Sequence, residues 1–96
     1  MLTVGLYYDV VPGKESIFEN LFGEVIDTIK TMNGYVSAIL YKRVDKPNSY
    51  LIYSEWKDMK SFEQFIKSRE FSGVKEEGPQ LLIARPYHKV YNRKLK

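Results

Sequence analysis

The chain has 96 residues, with 8 Tyr, 5 Phe and 1 Trp but no Cys and a single His, His88; that is the size of one domain around one hydrophobic core. Without cysteine there can be no disulfide, thiolate nucleophile, iron–sulfur cluster or Cys-based zinc site, and one His cannot build a His-rich metal centre unless subunits share ligands. The net charge of +3 is local: Lys89, Arg93, Lys94 and Lys96 fall in the last eight residues without an acid, leaving 11 cations against 12 acids elsewhere. The reading is therefore a single domain over residues 1–91 and a basic tail at 92–96, not a basic face for nucleic acid. No run approaches the roughly 18 apolar residues of a membrane span, and Met1 leads directly into a strand-like pattern. A soluble, cytoplasmic protein with no membrane partner is expected.

From Leu2 to Val10, Leu2, Val4, Leu6, Tyr8 and Val10 alternate with Thr3, Gly5, Tyr7 and Asp9, the period of two that marks a strand. After Pro12-Gly13, apolar residues at Ile17, Phe18, Leu21, Phe22, Val25, Ile26, Ile29 and Met32 predict a helix of about five turns over Lys14–Met32. Asn33-Gly34 supplies its stop. Alternation returns over Tyr35–Arg43 and Tyr50–Trp56, joined by a loop at 44–49 rich in Asp, Pro, Asn and Ser. Asp58 is placed to cap a second helix with Met59, Phe62, Phe65 and Ile66 on one face, ending between Ser68 and Gly73. Residues 75–79 read as a loop, and Gln80–Arg85 as a fourth strand, edged by Pro86 and resumed through Tyr91.

The order β-α-β-β-α-β is the ferredoxin-like arrangement, an α+β fold with a four-stranded antiparallel sheet and two helices on one face. An ordinary half-exposed sheet has one polar face. Here Val36, Ala38 and Leu40 oppose Tyr35, Ile39 and Tyr41, while Leu51 and Tyr53 oppose Tyr50, Ile52 and Trp56. Both faces are partly apolar and the helices cover one, so a homodimer packed sheet to sheet is expected.

The run from Glu55 to Phe71 resembles the signature of the antibiotic biosynthesis monooxygenase superfamily, with Trp56, Phe62, Ser68 and Phe71 at matching positions. The resemblance implies a dimeric α+β barrel with a cavity between each sheet and its helices. It also implies either quinone-forming monooxygenation without metal or flavin, or haem degradation. Cofactor-free oxygenation puts the chemistry on an electron-rich phenol or hydroquinone that loses a proton, and asks of the protein an apolar pocket, a few hydrogen-bond donors and in some cases a base. Three positions depart from the family pattern. Phe65 stands where many members carry a His and some a Trp, nine residues after the strand-ending Trp. Lys75 stands where haem-degrading members carry a His, and the Leu6–Tyr8 region lacks their Asn. That haem-degrading residue set is absent.

The candidate catalytic residues are Tyr7, Tyr8 and His88. A Tyr hydroxyl can donate to a substrate oxygen but is a poor base at its ordinary pKa near 10, and His88 titrates near neutrality and can serve as a base or a haem ligand. Tyr53, expected on the face of Tyr8, joins Trp56, Phe62 and Phe65 as candidate substrate-binding residues. Each has a structural reading beside the functional one: satisfied hydroxyls for the tyrosines, core packing for Trp56, Phe62 and Phe65, and solvent exposure for His88. Lys75 and Arg85 are candidates for steering an anionic substrate, Asp9 and Glu55 for a strand-borne base, and Gly23 for close packing or ligand space. Three functions compete: a cofactor-independent monooxygenase acting on a small aromatic or polyketide-like compound; a non-catalytic small-ligand or haem-binding protein; and an RNA-recognition module. The last fails, because Asn48-Ser49-Tyr50-Leu51-Ile52-Tyr53 lacks the basic-Gly-aromatic run such modules need. No resident metal is expected, and haem stands as the one cofactor to test.

Overall fold

The computed structural model describes residues 1–68 and 78–94. Phe71 and Lys75, the expected end of the second helix beyond Ser68, and most of the 75–79 loop lie outside those residues. The elements are β1 (Leu2–Asp9), α1 (Glu15–Ile29), β2 (Tyr35–Lys42), β3 (Ser49–Trp56), α2 (Met59–Ile66) and β4 (Tyr87–Asn92), with a 3₁₀ turn at Gly78–Leu81 before β4. One antiparallel sheet has the order β2-β3-β1-β4. The α+β ferredoxin-like architecture agrees with the sequence reading.

Local chemistry accounts for the boundaries. Asp58 takes extended backbone and its Oδ1 accepts from the Ser61 N–H and from Ser61 Oγ, each at 2.8 Å, which starts α2. Helix α1 ends at Ile29, and the chain then turns through Gly34 at φ +85°. The backbone of Gly34 lies directly against the Ser61 side chain, and its carbonyl accepts from the Lys57 N–H at 2.7 Å. No β-carbon fits there.

The fourth strand is where expectation and structure part. Gln80–Arg85 is not the strand: Leu82 makes an isolated bridge to Val10, Val11 N–H donates to the Leu81 carbonyl at 2.7 Å, and Ile83 N–H donates to the Asp9 carbonyl at 2.9 Å. This strap only touches the end of β1. Residues 87–92 pair along β1 from Tyr7 to Leu2, because Pro86 breaks the first run and the alternation begins again after it.

Strand parity brings two further corrections. A β-bulge between Tyr35 and Ser37 sets Tyr35 opposite Trp56, on the helix face with Ala38 and Leu40, where the Tyr35 ring meets the Trp56 ring edge-on at 5.7 Å. Tyr53 pairs with Gly5 and Tyr8 pairs with Tyr50. Cross-strand partners share a face, so Tyr53 lies on the face away from Tyr8.

The core lies wholly on the helix face. Leu2, Val4, Leu6, Ile29, Trp56, Phe62 and Phe65 form one cluster, and Val10, Phe18, Tyr50 and Leu81 another. The opposite face carries Tyr7, Ile39, Tyr41, Leu51, Tyr53, Tyr87 and Tyr91. Ile39, Tyr41, Tyr87 and Tyr91 are all about half exposed or more, at 46%, 50%, 57% and 49%. Tyr7 lies flat over Gly5, stacks on Tyr87 with centroids 4.9 Å apart, and meets the Tyr91 hydroxyl.

Candidate functional site

Helix α1 buries Phe18 in its first turn and Ile29 at its end, while Leu21, Phe22, Val25 and Ile26 between them are only partly buried. Beneath them is a cavity of about 60 Å³. Leu21, Phe22, Val25 and Ile26 of α1 form the roof; Leu6, Tyr8, Ala38 and Ile52 form the floor; Trp56, Phe65 and Leu82 close the sides. The repeated apolar pairs of α1 explain the roof, and Ala38, the smallest side chain on the floor, leaves the gap unfilled.

Among the described residues no side chain in this wall carries a charge, and those with polar side-chain atoms are Tyr8, Ser54 and Trp56. The last two satisfy each other, since Trp56 Nε1–H donates to Ser54 Oγ at 3.2 Å and Ser54 Oγ–H donates to the Val4 carbonyl at 3.3 Å. The Tyr8 hydroxyl has no hydrogen-bond partner among the described residues, and burial pushes its pKa up to about 12. At pH 7 Tyr8 is neutral. Tyr8 is thus a neutral phenol in the wall of an apolar space, and it cannot act as a base there.

The structure brings together three of the expected site residues: Tyr8, Trp56 and Phe65. Phe62 is fully buried behind them, with its ring centroid 6.1 Å from Trp56 and 6.3 Å from Phe65. Tyr7 and Tyr53 lie on the far side of the sheet, where burial and then the Tyr91 hydroxyl raise the Tyr7 pKa. His88 pairs with Leu6 and so sits on the helix face, but on the edge strand and exposed, its ring 5.9 Å from that of Phe62 and outside the cavity wall. Asp9 is engaged by Ser49 Oγ at 2.5 Å and by Lys46 at 3.8 Å, and Glu55 lies 3.8 Å from Arg93 on the open sheet face. Arg85 is exposed and does not line the cavity. Gly23 faces open space, with nothing within 4 Å of where a β-carbon would be.

A residue set fit for haem would need an iron ligand and room for the macrocycle. Among the described residues the candidate ligand in the wall is Tyr8, which would have to ionise against its raised pKa. The cavity, at about 60 Å³, is smaller than the roughly 150 Å³ of an engineered cavity that binds benzene, and a tetrapyrrole has about two dozen ring atoms. The site does not fit haem. Among the described residues no group of three or more His, Cys, Asp or Glu could hold a metal ion, and no helix is long and apolar enough to cross a membrane.

A family model for antibiotic biosynthesis monooxygenases matches residues 1–77. The chain belongs to that family. Similar solved structures include a conserved protein from Methanosarcina mazei Go1, 25% identical, with 97% of this chain and 92% of that one covered and a TM-score of 0.91. Another is SnoaB, a cofactor-independent oxygenase from Streptomyces nogalater, 21% identical, with coverage of 99% and 94% and a TM-score of 0.88. A protein of Natronomonas pharaonis provisionally named as heme-binding is 31% identical over 86 residues, 90% of this chain. This antibiotic biosynthesis monooxygenase domain spans only 14% of that relative's length. A similarly named protein of Haloarcula marismortui is also 31% identical over 86 residues, which make up 13% of its length.

Proposed function

We propose that the chain is a cofactor-independent monooxygenase whose substrate is a small, largely apolar aromatic compound with an electron-rich phenol. The observation that carries this reading is Tyr8, a phenol without a hydrogen-bond partner among the described residues, in a cavity wall whose other described residues are apolar or have their polar atoms satisfied. A neutral O–H there donates to a substrate oxygen and stabilises negative charge as it develops on that atom. Among the described residues the wall offers no base, so the phenol proton passes to water as the substrate enters. An electron-rich phenolate then reacts with oxygen at a free para carbon: one oxygen atom enters the ring, the other leaves as water with two hydrogens, and a quinone results. The likeness in fold to SnoaB supports this chemistry. The name of the Natronomonas relative points to haem, but the cavity does not suit it, and most of that relative lies outside the match.

The second part of the proposal is a homodimer joined through the open sheet faces. The exposed Ile39, Tyr41, Tyr87 and Tyr91 form an aromatic surface that the helices of the same chain do not cover. Replacing Tyr41 and Tyr87 by Lys is expected to give monomers in sedimentation velocity at micromolar concentration; a native protein that is already monomeric there refutes the dimer.

Oxygen uptake tests the activity. With 1-naphthol in chelator-treated buffer the native protein should consume oxygen, Tyr8→Phe should lose most of that rate, and His88→Ala should retain it. Uptake unchanged in Tyr8→Phe would refute the assignment, and a Soret band developing on addition of hemin would favour haem binding. Saturable binding without uptake would leave a binding protein in place of an enzyme.

A further inference from the structure

An apolar cavity of about 150 Å³ engineered into another protein binds benzene; the present 60 Å³ is less than half of that, so an aromatic ring enters only with movement of the roof. That makes the attachment of α1 to the sheet the feature that sets what can enter. Among the described residues, polar ties between α1 and the sheet occur at one side chain, Glu19. Its Oε2 accepts from the Tyr50 hydroxyl at 2.6 Å and from Lys42 Nζ at 3.1 Å. Tyr50 is on β3 and Lys42 is its cross-strand partner on β2, so Glu19 binds the helix to two strands at once.

The same point is linked to the cavity through packed rings. Tyr50 lies 4.7 Å from Phe18, the neighbour of Glu19, and Phe18 lies 5.4 Å from Tyr8. Phe18 is itself part of the cavity wall. Whatever holds Glu19 therefore holds Phe18 against Tyr8. Tyr50 is buried and its ring would pack on Phe18 without help, but ring packing alone does not fix how far the helix can slide or rise. The Tyr50 hydroxyl bond to Glu19 adds a directional tie there, and Lys42, whose ion pair with Glu19 is partly exposed, adds a weaker one.

We infer that the Glu19–Tyr50–Lys42 cluster is a clamp that limits how far α1 can rise, and so sets the largest ligand the cavity accepts. The inference rests on the reading of the cavity as the ligand site. Glu19 is a positioning residue in this account, since it acts through Phe18 and touches no ligand.

The test uses phenol, 2-naphthol and 2-hydroxyanthracene, whose one, two and three rings share one hydroxyl, with dissociation constants measured by calorimetry or ligand fluorescence. In the native protein affinity should fall sharply from two rings to three. Glu19→Ala and Tyr50→Phe should narrow the ratio of the three-ring to the two-ring dissociation constant at least fivefold, with phenol binding changed less than twofold. Glu19→Gln should lie between, because it keeps an acceptor for Tyr50 and loses the ion pair. Tyr50→Phe keeps the ring on Phe18, so it carries the test if Glu19→Ala does not fold. An unchanged ratio, or equal weakening of all three ligands, overturns the clamp while leaving the cavity as the site. Failure of the native protein to bind any of the three overturns both.

Discussion

Filling the cavity should stabilise the protein and abolish binding at the same time, and Ala38→Val is the substitution that does so. Ala38 is half-buried on β2, its side chain forms part of the cavity floor, and Val suits a strand. Two added methyl groups supply roughly 50 Å³, close to the volume available, and at about 0.8 kcal/mol per buried carbon they contribute up to about 1.6 kcal/mol. An independent route agrees: removing 60 Å³ of cavity at about 24 cal/mol per Å³ gives about 1.4 kcal/mol. For a domain of this size that raises the melting temperature by roughly 5–10 °C. Differential scanning calorimetry measures the shift, and calorimetric titration with 2-naphthol measures the binding. A lower melting temperature would mean the space is already packed, and a more stable variant that still binds 2-naphthol would place the ligand elsewhere. Either result would refute the reasoning.

Gly23 is exposed within α1 and a β-carbon would meet nothing within 4 Å, so Gly23→Ala should stabilise by about 1 kcal/mol and leave 2-naphthol affinity unchanged, as read by calorimetry. Gly34→Ala should do the reverse, by about 2 kcal/mol or more, because φ is +85° and the new carbon runs into Ser61; urea unfolding at constant m-value measures it. The Tyr50 hydroxyl, then Lys42, hold the Glu19 carboxyl below its ordinary value, and the Ser61 backbone N–H, then its hydroxyl, do the same for Asp58. Carboxyls lowered on folding add stability above their unfolded values, so these contributions are complete above about pH 4.5–5 and disappear as pH falls through the lower folded values. Thermal unfolding of Glu19→Gln and Asp58→Asn should therefore converge on the native protein toward pH 2–3 and diverge from it above pH 5.

Much of the fold was legible because burial follows period. The alternation through Leu6 and Tyr8 put Tyr8 on the core side of β1, the three-four spacing of α1 outlined the roof, and Asp58 marked the start of α2. Parity failed where the chain inserts a residue: the bulge after Tyr35 turned its ring toward Trp56, which no alternation pattern records. It failed again for Tyr53, because pairing with Gly5 rather than position along β3 decides which face it occupies. The fourth strand was misplaced because Leu81, Leu82 and Ile83 are as apolar as a buried strand, yet they serve as a strap against Val10 and Val11. The cavity itself was not legible. It exists because Ala38 is small and α1 touches the sheet through Phe18 and Ile29, and a void leaves no residue pattern. The scarcity of His and Cys pointed away from metal chemistry, and within the cavity it reduces to one free phenol.

The most direct test of that phenol is labelled oxygen. Native protein and Tyr8→Phe are each supplied with 1-naphthol under ¹⁸O₂ in chelator-treated buffer, and the quinone is analysed by mass spectrometry against a protein-free control. The account predicts quinone with one heavy oxygen in its ring from the native protein, well above the control, and little from Tyr8→Phe. Equal labelled product from both proteins, or none above the control from the native protein, would contradict it.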